Sequence, residues 1–159
     1  MGFIHRLTND RRFMKLLLNC YPPYIGAGIR VSRISQDFRE LDVSMGLHFY
    51  NRNYVATHFG GSLYAMTDPF FMLMVMKNLG PGYIVWDKSA KITFKKPGKG
   101  RVTARFRLLQ AQLDEAAALT INGARYCPVF SVDVVDQAGE VVALVEKELY
   151  IRRKSVDTN

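Results

Sequence analysis

The chain has 159 residues, 48% of them apolar and 12% aromatic, enough for one domain with a buried core and too apolar for a disordered segment. Its formal charge of +8 favours an anionic partner or a solvated basic face. The basic groups at Arg11-Arg12, Lys95-Lys96, Lys99/Arg101 and Arg152-Arg153-Lys154 are dispersed. No helix-turn-helix or aromatic RNA-binding motif accompanies them, so nucleic acid is not expected as a partner. Two cysteines, Cys20 and Cys127, are too few for a disulfide framework and lack zinc-site spacing; both are expected to be core thiols. The longest apolar run, Phe70–Met76, is too short to span a bilayer. No early stretch reads as a leader, and a soluble, cytoplasmic protein is the expectation.

In chain order, Asp10–Cys20 reads as a helix (a helical segment of about 9–21). Asn9 or Asp10 can cap it, Phe13, Leu16, Leu17 and Cys20 share a face, and Tyr21-Pro22-Pro23 ends it. Gly28–Ser35 and Arg39–Met45 read as a hairpin around Gln36-Asp37. Leu41, Val43 and Met45 point one way, while Ile29, Val31 and Ile34 alternate only roughly. Leu47–Gly60 is a long loop rich in aromatic and polar residues, a pattern associated with function.

Gly61–Leu79 is nearly all apolar and predicts one long buried helix ended by Gly80-Pro81-Gly82. The remainder predicts strands: Tyr83–Phe94, a turn at 96–100, Val102–Leu109, a short helix or loop over Gln112–Ala124, and a hairpin of Tyr126–Asp136 with Glu140–Arg152 around Gln137-Ala138-Gly139. A long apolar helix between antiparallel strands implies an α+β domain in which a sheet wraps the helix.

The chemistry concentrates in Asn53–Pro69. Gly60 and Gly61 lie where loop becomes helix, so the backbone is open to close approach. Free N–H groups and the helix dipole there suit developing negative charge, as on a thioester oxygen. Asp68 interrupts an apolar helix. Such a carboxylate must be paired, hydrogen-bonded or used. It is either a satisfied core group, bonded to backbone or to Asn53, or a reactive one. Pro69 either kinks the helix there or marks a later start, with Asp68 as N-cap. Met66, Phe70, Phe71, Met72 and Met74 either pack the core or line an apolar tunnel. Gly61 and Asp68 are seven residues apart, ~10 Å along a helix axis. Two antiparallel copies related by a two-fold axis would set Gly61 of one beside Asp68 of the other.

Gly-Gly followed seven residues later by Asp, with Asn53 upstream, resembles the hotdog-fold acyl-CoA thioesterases of the phenylacetyl-CoA thioesterase type. The strand and turn Ala90–Gly100 resemble theirs too, and the likeness runs from about Leu47 to the C-terminus. It implies a hotdog fold, here with an extra N-terminal helix, forming a dimer or dimer of dimers. It implies Asp68 as general base or nucleophile, Gly61 as backbone donor to the thioester oxygen, and Asn53 as the residue positioning substrate or water. Gly60, His58, Phe59, Asp87, Ser89 and Thr93 are the substrate-binding candidates. Phe59 stands where the family has His, with His58 one residue earlier. Asp87 is either a second site carboxylate or is paired with Lys88 or a turn partner. Lys95, Lys96, Lys99 and Arg101 are candidates for meeting coenzyme A phosphates. The implied ligand is an acyl thioester, with coenzyme A as part of the substrate and no separate cofactor or metal. The expected activity is thioester hydrolysis. A non-catalytic acyl-thioester binder and a hydratase or dehydratase using His58 with Asp68 are the alternatives.

Overall fold

The structure, a computed structural model, describes residues 10–154. Helices α1 (Arg11–Asn19) and α2 (Pro22–Ala27) lead into strands β1 (Ile29–Ile34) and β2 (Glu40–Met45). Then follow α3 (Gly60–Ala65), α4 (Phe70–Leu79), β3 (Tyr83–Phe94), β4 (Val102–Arg107), α5 (Gln110–Leu119), β5 (Arg125–Tyr126), β6 (Val129–Val135) and β7 (Val141–Arg153). The seven strands form one antiparallel sheet in the order β1-β2-β4-β6-β7-β3, with the short β5 paired to β7.

Alternation explains the sheet. In β2, Leu41, Val43 and Met45 are buried and pair with Phe106, Ala104 and Val102 of β4. The rough alternation of β1 has a cause: a register shift between Val31 and Arg33 lets Ile29, Val31 and Ile34 all face inward. The β6–β7 turn closes on Asp136, whose side chain accepts from the backbone N–H of Ala138 and Glu140, while Gly139 takes φ 83°.

The apolar segment after the long loop forms two helices rather than one kinked helix. Helix α3 ends at Ala65 and α4 starts at Phe70, with the cis Asp68–Pro69 peptide between them. Proline cannot donate the bond that would continue α3. Asp68 does not cap α4, since Pro69 is the N-cap and no side chain caps it. Helix α4 buries Phe70, Phe71, Met74 and Val75. Phe71 sits 5.1 Å, ring centroid to centroid, from both Phe106 of β4 and Phe130 of β6. Together with Met66, these side chains are core, so the tunnel reading of Met66, Phe70, Phe71 and Met74 is set aside.

The N-terminal layer differs from expectation in its faces. Asp10 caps α1 through Arg12 N (2.7 Å); Asn9, the other candidate cap, lies outside the described residues. Met14 and Leu18 are the buried pair, whereas Leu16, Leu17 and Cys20 are exposed. Cys20 is thus not a core thiol, and Cys127 is only half-buried. Tyr21-Pro22-Pro23 ends α1 and also begins α2, whose first positions tolerate proline because their N–H groups have no helical partner.

Candidate functional site

The loop before α3 is held by its own polar side chains. The Asn53 amide donates to Thr57 Oγ1 (2.9 Å) and the His58 carbonyl (3.3 Å). Its Oδ1 accepts from Val55 N (3.1 Å) and Thr57 N (3.0 Å). The side chain is therefore engaged within the loop and does not reach Asp68. His58 is 3% exposed, and its Nε2 lies 2.8 Å from the Gly100 carbonyl. Its Nδ1 is buried without a partner. Burial lowers the pKa of this ring, outweighing the Gly100 bond. His58 is thus a neutral imidazole that donates from Nε2 and ties the loop to the 96–100 turn. It does not face Asp68, which removes the pairing that a hydratase reading requires.

Gly60 and Gly61 open α3 as expected, and Ser62 N and Leu63 N both bond to the Phe59 carbonyl. That leaves the two glycine N–H groups as the unpaired donors of the helix end. The space beside them is taken by the chain's own rings. A Cβ on Gly61 would lie 2.4 Å from the Phe59 ring, and one on Gly60 would lie 2.9 Å from Phe94. Both rings are largely exposed.

The charged residues converge at the far end of α3. Lys147 of β7 has a side chain only 1% exposed, and its Nζ donates to Asp68 Oδ1 (2.5 Å) and Tyr64 Oη (3.2 Å). Asp87 Oδ1 of β3 lies 3.3 Å from the same Nζ. The Asp68 carboxylate stays 43% exposed, and the side chain of Asp87 25%. Tyr24 of α2 donates its hydroxyl to the Asp68 carbonyl. Burial, then the Asp68 charge, pushes the Tyr24 phenol above the ordinary tyrosine range.

Burial raises the Asp87 carboxyl above the ordinary carboxylate range; Lys147 pulls it down and Asp68 pushes it up. For Lys147, burial opposes the charge. Its bonds to Asp68 and Tyr64 and the charges of both carboxylates outweigh that and raise its pKa. The arrangement is a buried ammonium anchoring one carboxylate that solvent reaches.

Asp87 is thus paired with Lys147 rather than with Lys88, which bonds Glu148 at 2.7 Å. A bulge between Asp87 and Ser89 puts Asp87 and Ala90 on the same, inner face, opposite Leu149 and Lys147. Ser89 and Thr93 consequently lie on the other face. Ser89 bonds Glu148 (2.7 Å), and Thr93 sits opposite Leu144. Neither joins Asp68. Of the basic candidates for coenzyme A, Lys96 is taken by Asp136 (2.6 Å) and Glu140.

Lys147 and Tyr64 are the members that sequence reasoning missed. A signal for Lys147 exists: it is the one charged residue in the inward series Val145, Lys147, Leu149, Ile151 of β7.

A seven-stranded antiparallel sheet packed on the helical segment 60–79 is the architecture of the hotdog fold, and solved structures share it. A protein of unknown function from Pseudomonas aeruginosa, described as a probable thioesterase, has a TM-score of 0.77 at 15% identity, covering 90% of this chain and 95% of that one. A thioesterase from Haemophilus influenzae has a TM-score of 0.65 at 14% identity, covering 93% and 94%. A mutant of the phenylacetic acid degradation protein PaaI from Thermus thermophilus has a TM-score of 0.58 at 23% identity, covering 82% and 98%. At these identities the likeness establishes the hotdog fold.

Residues 9–151 match the family described as Domain of unknown function (DUF4442), and the chain belongs to that family. No curated protein matches the chain. Among the described residues no helix is long and apolar enough to cross a membrane.

Proposed function

We propose that the protein hydrolyses acyl thioesters, with Asp68 as general base or nucleophile. The observation that carries this reading is the half-open Asp68 carboxylate at the helix break, one oxygen of which is held at 2.5 Å by fully buried Lys147. Pairing fixes the carboxylate's orientation while leaving it accessible to water or a substrate carbonyl, as general-base or covalent catalysis needs. Thioesterases among the structures of the same fold support the reaction class. Coenzyme A or an acyl carrier protein is the thiol half of the substrate.

The oxyanion donors in this reading are the Gly60 and Gly61 N–H groups, reached when the exposed Phe59 and Phe94 rings turn aside, a motion of surface side chains on the ps–ns scale. They lie at the opposite end of α3 from Asp68, which supports a site shared by two copies. The sheet supports this as well. It ends on β3, a 12-residue edge strand whose outer hydrogen-bonding edge is unpaired among the described residues, and long bare edges call for a partner. A second copy adding its β3 antiparallel would continue the sheet and set the two helices side by side.

Steady-state assay of an acyl-CoA panel with the wild type and Asp68→Asn tests the chemistry. The wild type turns over at least one chain length and the variant loses that activity; undiminished turnover in the variant sinks the role of Asp68. Binding without turnover in the wild type selects the non-catalytic binder. Coexpression of Asp68→Asn with Gly61→Val tests the sharing. Random pairing restores about a quarter of wild-type activity if each site draws one group from each copy, and none if both groups act within one chain.

A further inference from the structure

We infer that the acyl chain of the substrate lies in a cavity between the N-terminal helices and α4, and that the enzyme therefore prefers long, unbranched acyl groups; this rests on the thioesterase reading. The cavity has a volume of about 950 Å³. Its walls include Leu17 and Leu18 of α1, Pro23 of α2, and Leu73 and Met76 of α4, and Asp68 opens onto it. Asp68 lines it beside Tyr24, whose hydroxyl bonds the Asp68 backbone carbonyl, so the helix break that carries the carboxylate forms part of the cavity wall.

Three features single out an alkyl chain as the occupant. The chamber is continuous with the proposed reacting centre through Asp68 and Pro69. Its walls are mostly aliphatic and aromatic, with Lys77 and Lys154 also among them, and include two methionines, Met14 and Met76, side chains that adapt to varied apolar shapes. Its size is at the upper end of small-molecule pockets, far beyond what an acetyl group fills. Leu17 (49%) and Met76 (36%) are exposed beside buried Met14 and Leu18, so α1 and α4 both present apolar surface to the cavity. The core side chains Met66, Phe70 and Met74 leave no comparable room.

Burial of each further methylene raises kcat/KM about three- to fourfold until the chamber is full. The test uses straight-chain acyl-CoA substrates from four to sixteen carbons, and cis-parinaric acid as a non-reacting fluorescent probe. It compares full-length wild type, Leu17→Trp and Met76→Trp, with Ile121→Trp, on an exposed position away from the cavity, as control. We expect wild type to bind the probe and to favour the longer chains. Both cavity variants weaken probe binding, and lower the long-to-short ratio of kcat/KM, at least tenfold, whereas Ile121→Trp does neither. A flat chain-length profile overturns the inference, as does equal probe binding by wild type and both cavity variants. Absence of probe binding by wild type also overturns it. If no thioester is cleaved yet the probe binds and both variants weaken it, the hydrolase reading falls and the chamber stands.

Discussion

Two polar regions flank the short helix α3, and they differ in how their groups are satisfied. At its start, Asn53 and His58 bond almost wholly to backbone within the loop and the neighbouring turn. At its far end, Asp68, Lys147, Asp87 and Tyr64 come from separate elements and leave a carboxylate in contact with solvent. Polar side chains whose bonds are spent locally hold a shape. Charges brought together from distant strands, at the cost of desolvation, and left partly open hold a reactivity. In the proposed hydrolysis the start of α3 contributes only through its backbone N–H groups.

The largest expected effect breaks the reactive side of this contrast. Asp68→Asn lowers kcat on the best acyl-CoA by roughly 10²–10⁴-fold, the usual worth of a positioned acid or base; steady-state kinetics checks it. By contrast, Asn53→Ala is expected to change kcat per folded molecule by less than about threefold.

Stability sharpens the comparison next. Asp68→Asn with Asp87→Asn strands the buried Lys147 ammonium and costs about 3–5 kcal/mol in urea unfolding. Adding Lys147→Met restores most of that loss, because no buried charge remains. Lys147→Met alone costs less than the double carboxylate change, since both carboxylates keep access to water. A triple variant as unstable as the double variant counts against the buried-charge account. At the other end of α3, Asn53→Ala removes the loop's organising bonds and costs about 1–3 kcal/mol, read from the same unfolding curves.

The smallest effect concerns pH. His58 is held neutral in the folded chain, with its pKa below the ordinary 6.5. As the pH falls through 6.5 the unfolded chain takes up a proton and the folded chain does not. The stability that this histidine contributes is therefore lost on going from pH 7 toward 5, by at most about 1.4 kcal/mol per pH unit. His58→Gln flattens that slope, measured as unfolding free energy against pH. An unchanged slope would place the acid sensitivity elsewhere.

Much of the fold was legible because it rests on local patterns. The alternation of Leu41, Val43 and Met45, the Gln137-Ala138-Gly139 turn and the apolar segment from Gly61 all act over a few residues; the strands of the two hairpins stand where those patterns put them, whereas the segment from Gly61 is helical but divided at 66–69. The catalytic candidacy of Asp68 was legible for the same reason: a carboxylate within an apolar run needs an explanation whatever surrounds it.

What surrounds it was decided in three dimensions. Lys147 is 79 residues away from Asp68 and reaches it only because β7 lies beside β3 at the sheet's end. Asp87 faces inward only because a bulge reverses the parity of its strand. Asn53 and His58, polar residues in a functional-looking segment, became loop staples because the fold supplied backbone partners at hydrogen-bonding distance. The buried face of α1 was likewise chosen by packing: Met14 and Leu18 were drawn against the fold, and Leu17 was left over the chamber. Sequence determined which segments bury apolar surface and which residue was anomalous among them. Only the sheet order and the helix break decided which charges meet, because long-range electrostatic contacts depend on register and strand adjacency that no local pattern encodes.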